Sequence, residues 1–291
     1  MMSKLSISNM ERAEVLTQAL PYIKKYTGET IVIKYGGNAM INEALKEQVM
    51  EDIVLLQLIG VNVVLVHGGG PDVSEAMEKM GKEPVFVDGL RVTDQETMDI
   101  VQMVLAGKIN KTLVNLLEMK GGKAMGISGL DGSLLRAHMK NDKLGLVGKI
   151  DKVNIGAVTD LLEQGYIPVV STIAWGHGGK VFNINGDTAA AYIAGALGAK
   201  RMIMLTDIEG ILMDKNDPDT LIPEMSVEEL QDLCESEYIS GGMVPKVESC
   251  LEAISRGTDK VIILDGRVPH SILMELLTNE GAGTMIYPEE A

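Results

Sequence analysis

The sequence predicts an α/β fold, a three-layer αβα sandwich around a central, mainly parallel sheet. Two patterns carry that expectation. Short runs rich in β-branched residues, apolar at consecutive positions, recur along the chain. Between them lie longer stretches with apolar residues at three- and four-residue steps. The alternation persists over nearly all of the 291 residues, as expected of strands that run the same way and return through helices.

The elements follow in order. Residues 9–27 carry Met10, Ala13, Leu16, Ala19, Leu20 and Ile23 on one helical face, behind an Asn9 cap. This amphipathic extension, residues 1–28, either lies on its own domain or meets another subunit. TIVIK at 30–34 reads as the first strand, 44–59 as a helix, VNVVLV at 61–66 as the second strand and 94–119 as a long helix. From 133 to 150 short alternating segments without helical period predict hairpin strands at one edge of the sheet. IPVVS at 167–171, a helix over 187–197, RMIMLT at 201–206, a helix over 243–255 and KVIILD at 260–265 complete the pattern.

Charge narrows the function. With 26 Lys and Arg against 41 Asp and Glu, the net charge is -15, which repels phosphate backbones and anionic lipid surfaces. No nucleic acid and no membrane is therefore expected as a partner. The acid is concentrated: residues 201–291 hold 19 of the acidic and 6 of the basic residues, and Lys246 is the sole base between Lys215 and Arg256. Two cysteines without CxxC spacing, and an N-terminus without an apolar leader core, predict a cytoplasmic protein.

The chemistry-bearing residues cluster just after predicted strands. Lys34 runs into Gly36 and Gly37, and His67 into Gly68, Gly69, Gly70 and Pro71. Glycines beyond the carboxyl ends of parallel strands let backbone N–H groups approach an anion, and Pro71 suits the first turn of a following helix. Each loop read alone is equally explained by a tight strand-to-helix turn. No P-loop, dinucleotide fingerprint or protein-kinase motif occurs, and the histidines lack metal-ligand spacing, so no protein-held metal is expected. Asp214, Asn216, Asp217 and Asp219 lack the closing ligand of a calcium loop and read as a solvated turn. Two more segments stand out. Asn183, Asn185 and Asp187 open a helix of small residues, where Asp187 is either a helix-start acid or functional. Ser240-Gly241-Gly242 leads to Lys246, which either pairs with a neighbour such as Glu248 or serves a phosphate.

Taken together, KxGG at 34–37, HGGG at 67–70, GLRVT at 89–93, NxNxD at 183–187 and GGMxxK at 241–246 resemble the amino acid kinase family. The likeness spans residues 31–286 and is strongest to members that act on N-acetyl-L-glutamate in arginine biosynthesis. It implies ATP-dependent phosphorylation of the side-chain carboxylate, giving N-acetyl-L-glutamyl 5-phosphate. It further implies an N-terminal lobe, 29–197, that binds the acceptor and dimerises, and a C-terminal lobe, 198–291, that binds ATP with Mg²⁺ carried mainly by the nucleotide. Lys34 and Lys246 match the lysines that neutralise the transferring group, and Asp187 the acid that orients them. Gly69, Gly70, Arg91 and Asn183 match acceptor contacts, and Gly36, Gly37, Thr206, Asp207 and Gly210 nucleotide contacts. Arg91 has a plainer alternative, a salt bridge to Asp88 or Asp94. A kinase of this family with another acceptor, and an arginine-sensing module attached to an acetyltransferase, are the rivals. The match running to residue 286 leaves no expectation of an acetyltransferase domain.

The extension and the stretch from His270 through Glu280-Gly281-Ala282-Gly283-Thr284 resemble the arginine-inhibited branch, which implies a hexamer built as a trimer of dimers. L-arginine would then lie near Tyr22, His270, Glu280 and Gly283. The alternative for the 280–283 stretch is a polar turn before a last strand.

Overall fold

The computed structural model of the chain describes residues 8–40, 42–214, 217–235, 239 and 243–289. Two helices, α1 (Asn9–Gln18) and α2 (Leu20–Tyr26), precede β1 (Thr30–Tyr35). Then come α3 (Glu43–Leu58), β2 (Asn62–His67), α4 (Gly70–Lys79) and a small hairpin of β3 (Phe86–Val87) and β4 (Leu90–Arg91). Next, α5 (Gln95–Gln102) and α6 (Asn110–Met119) are joined through a π-helical segment, Met103–Ile109. The chain continues through β5 (Ala124–Gly129), β6 (Leu135–Met139), β7 (Gly148–Val153), α7 (Gly156–Glu163), β8 (Ile167–Gly176) and β9 (Val181–Asn183). It closes with α8 (Gly186–Leu197), β10 (Arg201–Thr206), β11 (Glu224–Ser226), α9 (Val227–Glu235) and α10 (Met243–Ser255). The last three elements are β12 (Val261–Asp265), α11 (Ser271–Leu277) and β13 (Gly283–Tyr287).

The both-face apolar runs end up where their composition demands, in the middle of the sheet. β1 pairs in parallel with β10 on one side and β2 on the other, and Ile31, Val32 and Ile33 are wholly buried. Alternation along β1 sends Ile31 and Ile33 into the layer carrying α3 and α6, and Val32 into the layer carrying α8 and α10. Each such side chain contributes about 1.5–3 kcal/mol by burial, so a polar substitution in β1 strikes both layers. Among the described residues the sheet has eleven strands, in the order β11-β13-β12-β10-β1-β2-β8-β6-β7, with β5 and β9 also on β8. The 133–150 region forms the antiparallel β6–β7 hairpin at one edge, as expected.

Two expectations are corrected. The extension is not one helix from Asn9: Ser8 caps α1 in a capping box with Glu11, and the helix breaks at Ala19. Pro21 has no N–H to give to residue 17, so α2 restarts with proline in its first turn. Nor is 94–119 a single α-helix, since the π segment interrupts it. No helix among the described residues is long and apolar enough to cross a membrane.

Candidate active site

Three parallel strands, β1, β2 and β10, end at the same edge, and the chain leaves β1 and β2 through their glycine loops. The loops are tied together, Gly68 N–H donating to the Tyr35 carbonyl at 3.1 Å. Lys34 points to the α8 side, where Asp187 stands in the first turn under the Asn185 cap. Lys34 Nζ lies 2.8 Å from Asp187 Oδ1, and Lys246 Nζ, from α10, lies 3.7 Å from Asp187 Oδ2. Burial alone would push the Asp187 carboxyl up, but the two ammonium groups outweigh it and hold the carboxyl below its ordinary value. Gly36 makes room for this pair, because a Cβ there would fall 3.0 Å from Lys34 Nζ. Lys246 thus reaches Asp187 rather than merely decorating its own helix. Residues 240–242 of its motif lie outside the described residues.

A cavity of about 200 Å³ opens beside this array, lined by Lys34, Gly36, Gly37, the Gly68–Gly70 loop, Arg91, Asn183, Asn185 and Asp187. That is below the roughly 300–1,000 Å³ common for drug-sized ligands, so the cavity suits an occupant the size of an amino acid. Arg91, only 7% exposed, donates through Nη2 to the Gly70 carbonyl and Ser74 Oγ, both at 2.8 Å, and its guanidinium stacks 4.7 Å from the Phe86 ring centre. Asp94, its alternative partner, pairs with Lys82 instead. Asn183 Nδ2 reaches Thr93 Oγ1 at 3.4 Å.

The expected residues are not all gathered. Thr206 ends β10 with its hydroxyl engaged by Ile208 and the Leu264 carbonyl, and the loop holding Asp207 and Gly210 is tied to β13 by Ile211 N–H to Thr284 Oγ1 at 2.8 Å. These three share the sheet edge with Lys34 but do not line the cavity. Around the arginine candidates, the Tyr22 hydroxyl bonds Asn279 beside Glu280, whereas His270 Nδ1 meets Asp52 of α3 at 2.6 Å. Gly283 has a purely packing reason to be glycine, since a Cβ would fall 2.0 Å from the Ile263 carbonyl across the β12–β13 pair.

The β3–β4 hairpin, which brings Phe86 and Leu90 to the cavity, went unpredicted. Its signal was present: Asp88-Gly89 between Val87 and Leu90, with φ of 49° and 74°, is the two-residue turn that asks for Asp-Gly. Ser74 carries no comparable signal, because its role as the acceptor for Arg91 depends on α4 folding back.

The amino acid kinase family profile matches residues 29–265, and the chain belongs to that family. It is 51% identical over 97% of its length to the whole of the acetylglutamate kinase of Clostridium beijerinckii, and 51% identical over 97% to 99% of that of Clostridioides difficile. Within the family it is thus an enzyme of the acetylglutamate kinase type. Among solved structures, N-acetylglutamate synthase from Neisseria gonorrhoeae, complexed with coenzyme A and N-acetyl-glutamate, superposes with a TM-score of 0.84 at 28% identity. The match covers 96% of this chain and 64% of that one. The carbamate kinase of Giardia shares the fold, with a TM-score of 0.66 at 17% identity over 90% of this chain and 99% of that one.

Proposed function

We propose that the chain transfers the γ-phosphoryl group of ATP to the side-chain carboxylate of N-acetyl-L-glutamate, giving N-acetyl-L-glutamyl 5-phosphate in arginine biosynthesis. The observation that carries this reading is the Lys34–Asp187–Lys246 array at the wall of an amino-acid-sized cavity. A carboxylate with the ordinary pKa of ~4.3 is ionised at pH 7 and needs no general base to attack phosphorus. The obstacle is one anion meeting another, so the catalyst must position and neutralise. In this reading Lys34 and Lys246 offset charge on the transferring group, Asp187 keeps both ammonium groups aimed, and Gly36 and Gly37 offer backbone N–H groups to the phosphates. Gly69, Gly70 and Asn183 hold the acceptor. Arg91 holds its backbone carboxylate, a planar fork suiting what a lysine meets only as a point charge.

Thr206, Asp207 and Gly210 are assigned to the nucleotide, which approaches from the carboxyl end of β10. Mg²⁺ is assigned to the nucleotide phosphates, since Asp187 is committed to two lysines and no three metal-ligating side chains cluster among the described residues. The cavity lining falls wholly between residues 34 and 187, which supports an acceptor-binding, dimerising lobe over 29–197 and an ATP lobe over 198–291. No residue of α1 is buried, and Met10, Val15, Leu16 and Leu20 are exposed, which supports packing of the extension on another copy in a hexamer. The Tyr22–Asn279 bond supports arginine inhibition at the junction of α2 with the C-terminal region. Two free cysteines, one buried and one exposed, suit the cytoplasm. ADP release with acetylglutamate, glutamate, aspartate and carbamate as acceptors tests the reading. Acetylglutamate alone should support turnover, and preference for another acceptor would refute it.

A further inference from the structure

Behind the Gly68–Gly70 loop lies a buried polar row that the phosphoryl-transfer reading leaves unused. His67 ends β2 wholly buried, in register with Tyr35 of β1 on one side and Ser171 of β8 on the other. All three side chains therefore share the sheet face that carries α6. His67 Nδ1 lies 2.9 Å from the Gly68 carbonyl oxygen, and Nε2 lies 3.1 Å from Nδ2 of Asn110, the buried first residue of α6. The same Asn110 nitrogen meets the carbonyls of Val169 at 2.8 Å and Ile127 at 3.2 Å. Two carbonyl acceptors around one nitrogen settle the amide, because turned over it would set its oxygen against both carbonyl oxygens. Asn110 is thus the donor to Nε2, the ring proton sits on Nδ1, and Nδ1–H donates to Gly68. Burial pushes His67 down to about 4, the bond to Gly68 only partly opposing it, so this neutral tautomer holds at working pH.

The consequence reaches the cavity. In a planar trans peptide the C=O and N–H point opposite ways, so pinning the Gly68 carbonyl towards His67 turns the Gly69 N–H away from His67, and Gly69 itself lines the cavity. From the other side the π segment closes on the loop, for a Cβ on Gly69 would fall 2.1 Å from Ile109 Cδ1 and 2.8 Å from Leu105 Cδ2. We propose that His67, oriented by Asn110, is a positioning residue that aims the Gly69 amide at an oxygen of the acceptor, a claim that rests on the functional reading above.

Nitrogen-15 NMR of the histidine-labelled parent enzyme should show Nδ1 protonated and Nε2 unprotonated in His67 throughout pH 5.5 to 8. A ring protonated on Nε2, or titrating inside that range, overturns the proposal. Two variants then separate positioning from mere structure. His67→Asn keeps an N–H donor near the Nδ1 position, whereas His67→Leu keeps none. The leucine variant should raise KM for acetylglutamate at least tenfold and shift the Gly69 amide resonance, with KM for ATP held within twofold; the asparagine variant should stay within threefold of the parent. Equal losses in both variants, or a rise confined to ATP, refute it. If His67→Leu does not fold, Gly126→Ala serves, because its Cβ would fall 1.9 Å from Asn110 Oδ1 and displace the amide from outside the cavity. An unchanged acetylglutamate KM there also refutes it. Should the parent release no ADP with acetylglutamate, the functional reading fails, while the ring tautomer and the Gly69 resonance still decide the positioning claim.

Discussion

Asp187 sits between two ammonium groups at unequal distances, and that asymmetry predicts unequal consequences. Lys34 is buried and close, so Lys34→Ala strands a buried carboxylate whose remaining partner is 3.7 Å away. Breaking such a pair is destabilising, up to about 3–5 kcal/mol where no second cation remains. Lys246 is more exposed, and its removal leaves the tighter contact intact. Both alanine variants should lose about 10²- to 10³-fold in turnover, the scale for one preorganised charge-stabilising donor. Thermal melts should show Lys34→Ala as the less stable of the two, and adding Asp187→Asn to it should restore melting temperature without restoring turnover. Equal melting temperatures would contradict the inequality. Arg91→Lys should chiefly raise KM for acetylglutamate, because a bidentate fork stacked on Phe86 becomes a point charge. A rise in the ATP KM alone would place Arg91 in the wrong pocket.

Between elements, the Asp52–His270 contact joins α3 to the start of α11. Burial pushes the Asp52 carboxyl from 3.8 to about 6, against the pull of His270 and with the help of Glu51. Between those two values the native state keeps a proton that the unfolded chain has released, so this group's contribution to stability falls as pH rises through the window. Asp52→Asn should therefore match the parent near pH 4 and exceed it above pH 6, by about 2–3 kcal/mol and several degrees in Tm. Melts that differ equally at both pH values would refute this. The sheet was legible at this scale because strands such as β1 and β2 are apolar at consecutive positions, a pattern only burial on both faces explains. The π segment was not, since one wide turn barely disturbs a three-and-four spacing, and Val101 and Leu105 read equally well as core and as cavity wall. The Lys34–Asp187–Lys246 array was legible only through family resemblance, because no spacing along the chain relates residues that topology alone brings together.

For the whole molecule, the exposed apolar side chains Met10, Val15 and Leu16 of α1 predict assembly. Deleting residues 1–27 should convert hexamers to dimers by light scattering, and a hexamer that survives would remove α1 from the interface. Arginine should inhibit, with saturating acetylglutamate and nucleotide weakening its binding reciprocally. Glu280→Ala should abolish that inhibition at undiminished basal rate. Full activity in millimolar arginine would end the proposal. The central claim, however, is that phosphorus moves to a carboxylate oxygen, and the product is an acyl phosphate. Hydroxylamine intercepts an acyl phosphate as a hydroxamate. With ATP and acetylglutamate, the parent enzyme should give hydroxamate in step with ADP, and Lys34→Ala and Lys246→Ala should lower both together. ADP released without hydroxamate would mean that water, not the carboxylate, receives the phosphoryl group, and would contradict the account.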